Sequence, residues 1–254
     1  SDVVLTDTFE LITAGRGNTA NEGSKLDPDR SDVAIITQNK QWQFGGLWYK
    51  NPIDMEKDFS MLMYVNLGDK WENGDYIGTR GADGITFTIQ GHTNTSGVAL
   101  GNTIGANGAG LGAYAKDPDN NDPFDAYKSR FIRNALVLEF DTFYNNKEEL
   151  TNDNNTPNFG NGGENGEKFY GHIDLTKTPA WLGADQERFY KQHDASGPYF
   201  RSPDNLQVAT DQGQDLTDNR WRKVEVSWNS STYELTYYIA GYKPIVYQFS
   251  GSED

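Results

Sequence analysis

The 254-residue chain contains no cysteine, three histidines and three methionines. Without cysteine it can form no disulfide, do no thiol chemistry and build no thiolate metal site. His92, His172 and His193 lie far apart, and His92 and His193 read as solvated loop residues. No HExxH, GxSxG or GxxxxGK[ST] pattern occurs, so zincin, serine-hydrolase and P-loop chemistry have no support. Basic residues are also scarce: Lys and Arg number 22 against 37 Asp and Glu, a net charge of −15. That balance argues against nucleic acid, whose phosphates need a cationic face, and against an anionic membrane surface. The longest apolar runs, such as Ala135 to Leu138, are far too short to span a bilayer. No charged n-region and apolar h-region open the chain at Ser1, so any signal peptide is expected to have been removed or to have been left out of this sequence.

What the chain does have is aromatic mass, 13% of its residues, enough for a real core. Its dominant period is two. Phe59, Met61, Met63, Val65 and Leu67 alternate with Ser60, Leu62, Tyr64 and Asn66, and Ile85, Phe87 and Ile89 alternate with threonines and Gln90. Val224, Val226 and Trp228 pair as a hairpin with Tyr233, Leu235, Tyr237 and Ile239 across a turn at Asn229 to Thr232. Helical periodicity is scarce, with Asp185 to His193 the best short segment. Many strands and few helices predict an all-β antiparallel sandwich, a single domain over 1–254. Two long loops stand out, Asn145 to Gly166 and Lys177 to Asp218, and loops of that length are usually functional or mobile. Ser250 to Asp254 read as the start of a linker, which fits a module of a longer protein. The six tryptophans read as core, Trp181 in its long loop being the candidate exception.

The stretch Ala135-Leu-Val-Leu-Glu-Phe-Asp-Thr-Phe-Tyr-Asn145 is the most informative. On a strand, Leu136, Leu138 and Phe140 share one face and Glu139, Asp141 and Phe143 the other. Carboxylates on a face flanked by apolar residues are costly to desolvate unless paired or metal-bound. Two readings stay open: oxygen ligands from Asp141, the Phe143 carbonyl and Asn145 around a hard cation such as Ca²⁺, or pairing of Glu139 and Asp141 with Lys or Arg across the sheet. Asp83 opens a strand in Gly81-Ala-Asp-Gly84, and Gly105 to Tyr114 is a glycine-rich loop whose backbone could approach a ligand closely.

Taken in order, these pieces resemble the L-type (legume-type) lectin family. The resemblance begins at Gly45-Gly-Leu-Trp-Tyr-Lys-Asn-Pro-Ile-Asp54 with Asp58-Phe-Ser60 and runs through Ala82-Asp-Gly84, the Gly108 to Gly112 loop, Glu139 to Asn145 and Gly171-His-Ile173. It ends in the hairpin Trp221 to Leu235, so it covers most of the chain. The Trp-Tyr-Lys-Asn-Pro-Ile opening and the cysteine-free acidic composition are closest to lectin modules in adhesins of Gram-positive bacteria.

This resemblance implies a concanavalin A-like jelly roll with a Ca²⁺ beneath a shallow sugar site and no catalysis. Asp83 matches the sugar-binding aspartate, which follows a cis peptide from Ala82, and Gly108 or Gly110 matches the glycine whose N–H meets the sugar. Asp141, the Phe143 carbonyl and Asn145 match Ca²⁺ ligands, with Asn145 also facing the sugar and the Phe143 ring available to stack. Glu139 and His172 sit where legume members bind a second, transition metal. The family's next Ca²⁺ aspartate lies a few residues further on, and here the Asn145 to Gly166 insertion leaves Asp153 as the best match, with Asn158 and Glu164 as rivals. The same insertion puts the second metal in doubt. The specificity-loop strand pair that ends legume members is not found before Asp254. The expected partners are glycans on host or partner cells, the expected place the outside of a cell, as part of a wall-attached adhesin. Two rivals remain, a laminarinase-type glycoside hydrolase on the same jelly roll and a non-binding stalk domain. The hydrolase needs Glu-x-Asp-x-x-Glu, and Tyr144 stands at its second glutamate. The sequons at Asn94, Asn154 and Asn229 matter only in a eukaryotic secretory pathway.

Overall fold

In a computed structural model, the described residues are 4–12, 23–38, 43–68, 83–91, 104–105, 110–114, 131–142, 172–178, 200–201 and 216–250. Two four-stranded antiparallel sheets dominate them. One has the order β12 (Ile245–Gln248), β11 (Glu234–Ile239), β10 (Arg222–Asn229), β5 (Phe59–Val65). The other has the order β6 (Gly84–Gln90), β7 (Ala135–Asp141), β8 (His172–Thr178), β9 (Phe200–Arg201). The N-terminal part adds a single helical turn, α1 (Leu5–Thr8), and two short ribbons. These pair β1 (Phe9–Ile12) with β4 (Gly46–Tyr49), and β2 (Lys25–Leu26) with β3 (Ala34–Ile35). This is the all-β sandwich that period-two patterning predicts.

The alternation of apolar and polar residues decides which face each strand buries. In β10, Val224, Val226 and Trp228 point inward while Lys223 lies exposed, and β11 buries Leu235, Tyr237 and Ile239. From the opposite sheet, Leu136, Leu138 and Phe140 of β7 and Ile173 and Leu175 of β8 join the same cluster. The Phe87 ring of β6 meets Tyr237 of β11 edge-on, centroids 6.3 Å apart, so the two sheets interlock across one core. The β10–β11 hairpin turns where expected, with the Asn229 side chain accepting hydrogen bonds from Ser231 and Thr232 N–H. Strand β12, which the sequence patterning does not single out, extends that sheet, with Tyr237 directly opposite Ile245.

A second core covers the other face of β7. Ala135 and Val137 pack there with Phe131, Ile132, Leu111, Ala113 and Tyr114. All seven residues of β7 are therefore buried, one set between the sheets and the other beneath the 110–114 loop.

Trp221 departs from expectation. Tryptophan composition points to the core, yet this side chain is 52% exposed, because it shares its parity with Lys223 and Glu225 and lies on the outer face of β10. Trp228 is buried and Trp48 packs on the second core as expected. Trp181 and the helical segment Asp185 to His193 lie outside the described residues.

Candidate functional site

The β6–β7–β8 register brings the acidic residues together at one end of the sheet. Gly84 of β6 and His172 of β8 lie directly across from Asp141, while Thr86 and Asp174 lie directly across from Glu139. None of these four directly opposite neighbours is Lys or Arg. Asp83 precedes Gly84, and its carbonyl accepts a 2.9 Å hydrogen bond from the Thr142 N–H, which locks the mouth of β6 to the end of β7. Asp83 is half-buried and Asp141 is buried.

Glycine at 84 is what allows this approach. Its φ is +142°, and a Cβ there would stand 2.2 Å from the Phe140 carbonyl oxygen and 3.2 Å from Leu111 Cδ2. The 110–114 loop thus closes onto the same strand end. The Gly110 carbonyl accepts hydrogen bonds from the Ala113 and Tyr114 N–H groups at 2.9 and 2.8 Å. Leu111 is held at φ +50°, an uncommon conformation for a bulky residue, and its carbonyl accepts a 3.3 Å bond from the Thr86 hydroxyl. Asp83, the 110–114 loop and Asp141 therefore lie at the same end of the sheet. Gly108, Phe143, Asn145 and Asp153, with Asn158 and Glu164, lie outside the described residues, as does Ala82 with its peptide bond to Asp83.

Beneath the loop lies a buried polar cluster that sequence patterning does not reveal. The Tyr114 hydroxyl donates a 2.8 Å hydrogen bond to Glu139 Oε2 and lies 2.5 Å from Thr176 Oγ1. Glu139, Asp174 and Tyr114 are all fully buried. Burial first, and then the charge of Glu139, hold the Tyr114 phenol well above its ordinary range, so it stays a donor. Asp174 accepts a 2.8 Å bond from the Leu175 N–H through Oδ1. Thr178 closes the far end of the strand pair against the Ala135 N–H at 2.9 Å. The signal for this cluster is the alternation Asp174, Thr176, Thr178 against Ile173 and Leu175, a strand with one polar face turned to the loop.

The donors present suit a hard cation in kind: Asp141 offers carboxylate oxygens, the ligand Ca²⁺ takes. Among the described residues no group of three or more His, Cys, Asp or Glu is placed to hold a metal ion. The second-metal pair fares differently at its two positions. The His172 backbone is directly across from Asp141, but the Glu139 carboxylate is already engaged by Tyr114.

Comparison with known proteins agrees with this architecture. The model of the L-type lectin domain family, the legume lectin beta-barrel domain, matches residues 7–251. A curated relative is similar over 222 residues at 23% identity, the pesticidal crystal protein Cry22Aa of Bacillus thuringiensis. The match takes in 84% of this chain but spans 23% of that protein's length.

Proposed function

Because the chain belongs to the L-type lectin family, we propose that it is a Ca²⁺-dependent carbohydrate-binding module that carries no catalysis and works on the cell surface as part of an adhesin. The observation that carries this is the convergence of Asp83, the Gly110 loop and Asp141 at one sheet end, with Gly84 as the close-packed joint between them. In this role the Asp83 carboxylate accepts two sugar hydroxyl hydrogen bonds, a loop glycine N–H (Gly108 or Gly110) donates one, Asn145 adds another, and the Phe143 ring stacks on an apolar sugar face. Asp141, the Phe143 carbonyl, Asn145 and Asp153 would hold the Ca²⁺, which supplies rigidity to the loop that carries Asn145. A second, transition metal is not part of the proposal; of the pair that would hold it, Glu139 already accepts a hydrogen bond from Tyr114 at Oε2.

The same hydrogen bond weighs against the hydrolase. A retaining glycosidase needs a nucleophile that substrate can reach, whereas Glu139 is fully buried beneath Tyr114. A site of this kind is shallow and weak singly, so an adhesin gains from presenting many copies. Glycan-array binding with Ca²⁺, repeated with a chelator, tests the proposal: signal that survives chelation unchanged refutes the metal dependence, and no signal on any glycan refutes the lectin site.

A further inference from the structure

The outer face of the β12–β11–β10–β5 sheet carries a group of side chains that the proposed loop-side site does not use. Leu62 and Tyr64 on β5 are each 56% exposed, Trp221 beside β10 is 52% exposed, and Tyr238 on β11 is 46% exposed. The register makes them neighbours. Tyr64 lies directly across from Lys223, while Glu225 has Leu62 on one side and Tyr238 on the other. Lys223 and Glu225 are joined by a 3.2 Å ion pair. A polar lane therefore runs along β10, walled by Tyr64 and Leu62 on one side and Tyr238 on the other, with Trp221 at its end.

Such a face invites one of two occupants. A second copy of the chain is disfavoured twice. Each copy has a net charge of −15, so two copies repel. Large side chains of this kind bury about 150–250 Å² when fully covered, so these four, about half exposed, present roughly 300–500 Å², short of the ~800 Å² per partner that stable protein interfaces need. A sugar polymer needs neither the area nor a complementary charge. Tyr and Trp rings lying on a sheet face stack on the C–H faces of pyranose rings, and the lysine and glutamate between them offer a donor and acceptors to the hydroxyls. From strand spacing and rise, Tyr64 and Tyr238 stand roughly 12 Å apart, enough to engage more than one sugar unit. The charge selects the polymer class: an acidic polysaccharide would be repelled and a neutral one would not.

We infer that this face is a second, Ca²⁺-independent carbohydrate-binding surface, for a neutral polysaccharide laid along β10. It goes beyond the loop-side site and stands without it. The test is affinity gel electrophoresis of the chain through gels holding a soluble neutral β-glucan, a mannan or a galactan, with alginate as the acidic comparator. All gels contain chelator and use the Asp83→Asn variant, so the loop-side site is silent. At least one neutral polymer should retard the protein, alginate should not, and Tyr64→Ala with Trp221→Ala should weaken retardation by about tenfold or more. Both substitutions are on exposed residues, and circular dichroism checks that the fold is kept. Retardation by no neutral polymer, equal retardation of the double variant, or a dimer in sedimentation velocity that the double variant abolishes would each overturn the inference.

Discussion

Replacing Tyr114 by phenylalanine removes one oxygen and leaves the ring, so it isolates the hydroxyl that ties the loop to the sheet. That hydroxyl is fully buried and serves both Glu139 and Thr176. A hydrogen bond to a charged group contributes about 1.5–3 kcal/mol and a neutral one about 0.5–1.5, so Tyr114→Phe should cost roughly 2–4 kcal/mol. For a domain of this size each kcal/mol moves Tm by about 2–4 °C, which predicts a fall of roughly 5–15 °C in a thermal melt. An internal control exists. The Tyr237 hydroxyl is equally buried, in the main core, and has no hydrogen-bond partner among the described residues. Tyr237→Phe should therefore leave stability unchanged or raise it by about 1–3 kcal/mol. Alkaline melts add a second readout. Burial raises both phenols above the ordinary 10.0, so above pH 10 the folded state keeps protons that the unfolded chain loses. Their share of stability is complete below pH 10 and is lost as pH climbs above it, more steeply in the wild type than in Tyr114→Phe. A Tyr114→Phe melt within about 1 °C of wild type, or a Tyr237→Phe variant as damaged as Tyr114→Phe, would refute this account of the cluster.

Asp83→Asn should fold normally yet bind a glycan-array ligand about tenfold to a few hundredfold more weakly, the loss of charge-assisted bonds; equal affinity would place the site elsewhere. Calcium at about 100 times its Kd should stabilise the fold by roughly 2.7 kcal/mol, and identical calorimetric melts with metal and chelator would remove the metal from the proposal. Gly84→Ala should cost about 1–3 kcal/mol or more from the positive φ alone, with glycan binding lost in the same variant; urea titration measures it. On the rim of the other sheet, burial alone would push the Asp218 carboxyl up, but the bidentate Arg222 guanidinium outweighs it and holds it below the ordinary 3.8. Its contribution is present above that value and fades as pH falls below it, so Asp218→Asn should flatten the acid limb of stability against pH.

The strands were legible because burial here obeys a strict alternation. Val224, Val226 and Trp228, or Leu136, Leu138 and Phe140, can be assigned to the core from spacing alone. The same rule, applied three residues before Val224, puts Trp221 on the outside, where composition alone misplaces it. Asp83, Gly110 and Asp141 were chosen from the sequence as a family pattern; the β6–β7 register sets Gly84, next to Asp83, across from Asp141, and Leu111, next to Gly110, packs near Gly84. The Tyr114–Glu139–Thr176 contact was not legible. It joins three segments through a loop whose path depends on a left-handed Leu111, and no local propensity announces that conformation. The β8 strand was hidden for a related reason: its polar face reads as a loop until a second layer covers it.

The complete burial of β7 has a consequence for how the molecule breathes. Amide protons exchange slowest where exposure to water requires the whole fold to open, and a strand covered on both faces by two separate cores belongs to that class. Asp141 thus rides on an element that should exchange only by global unfolding. If the proposed site is as described, its floor should not adjust by local fluctuation to fit a new ligand, and changes of sugar preference would have to arise away from β7, where substitutions leave the slowest-exchanging strand untouched.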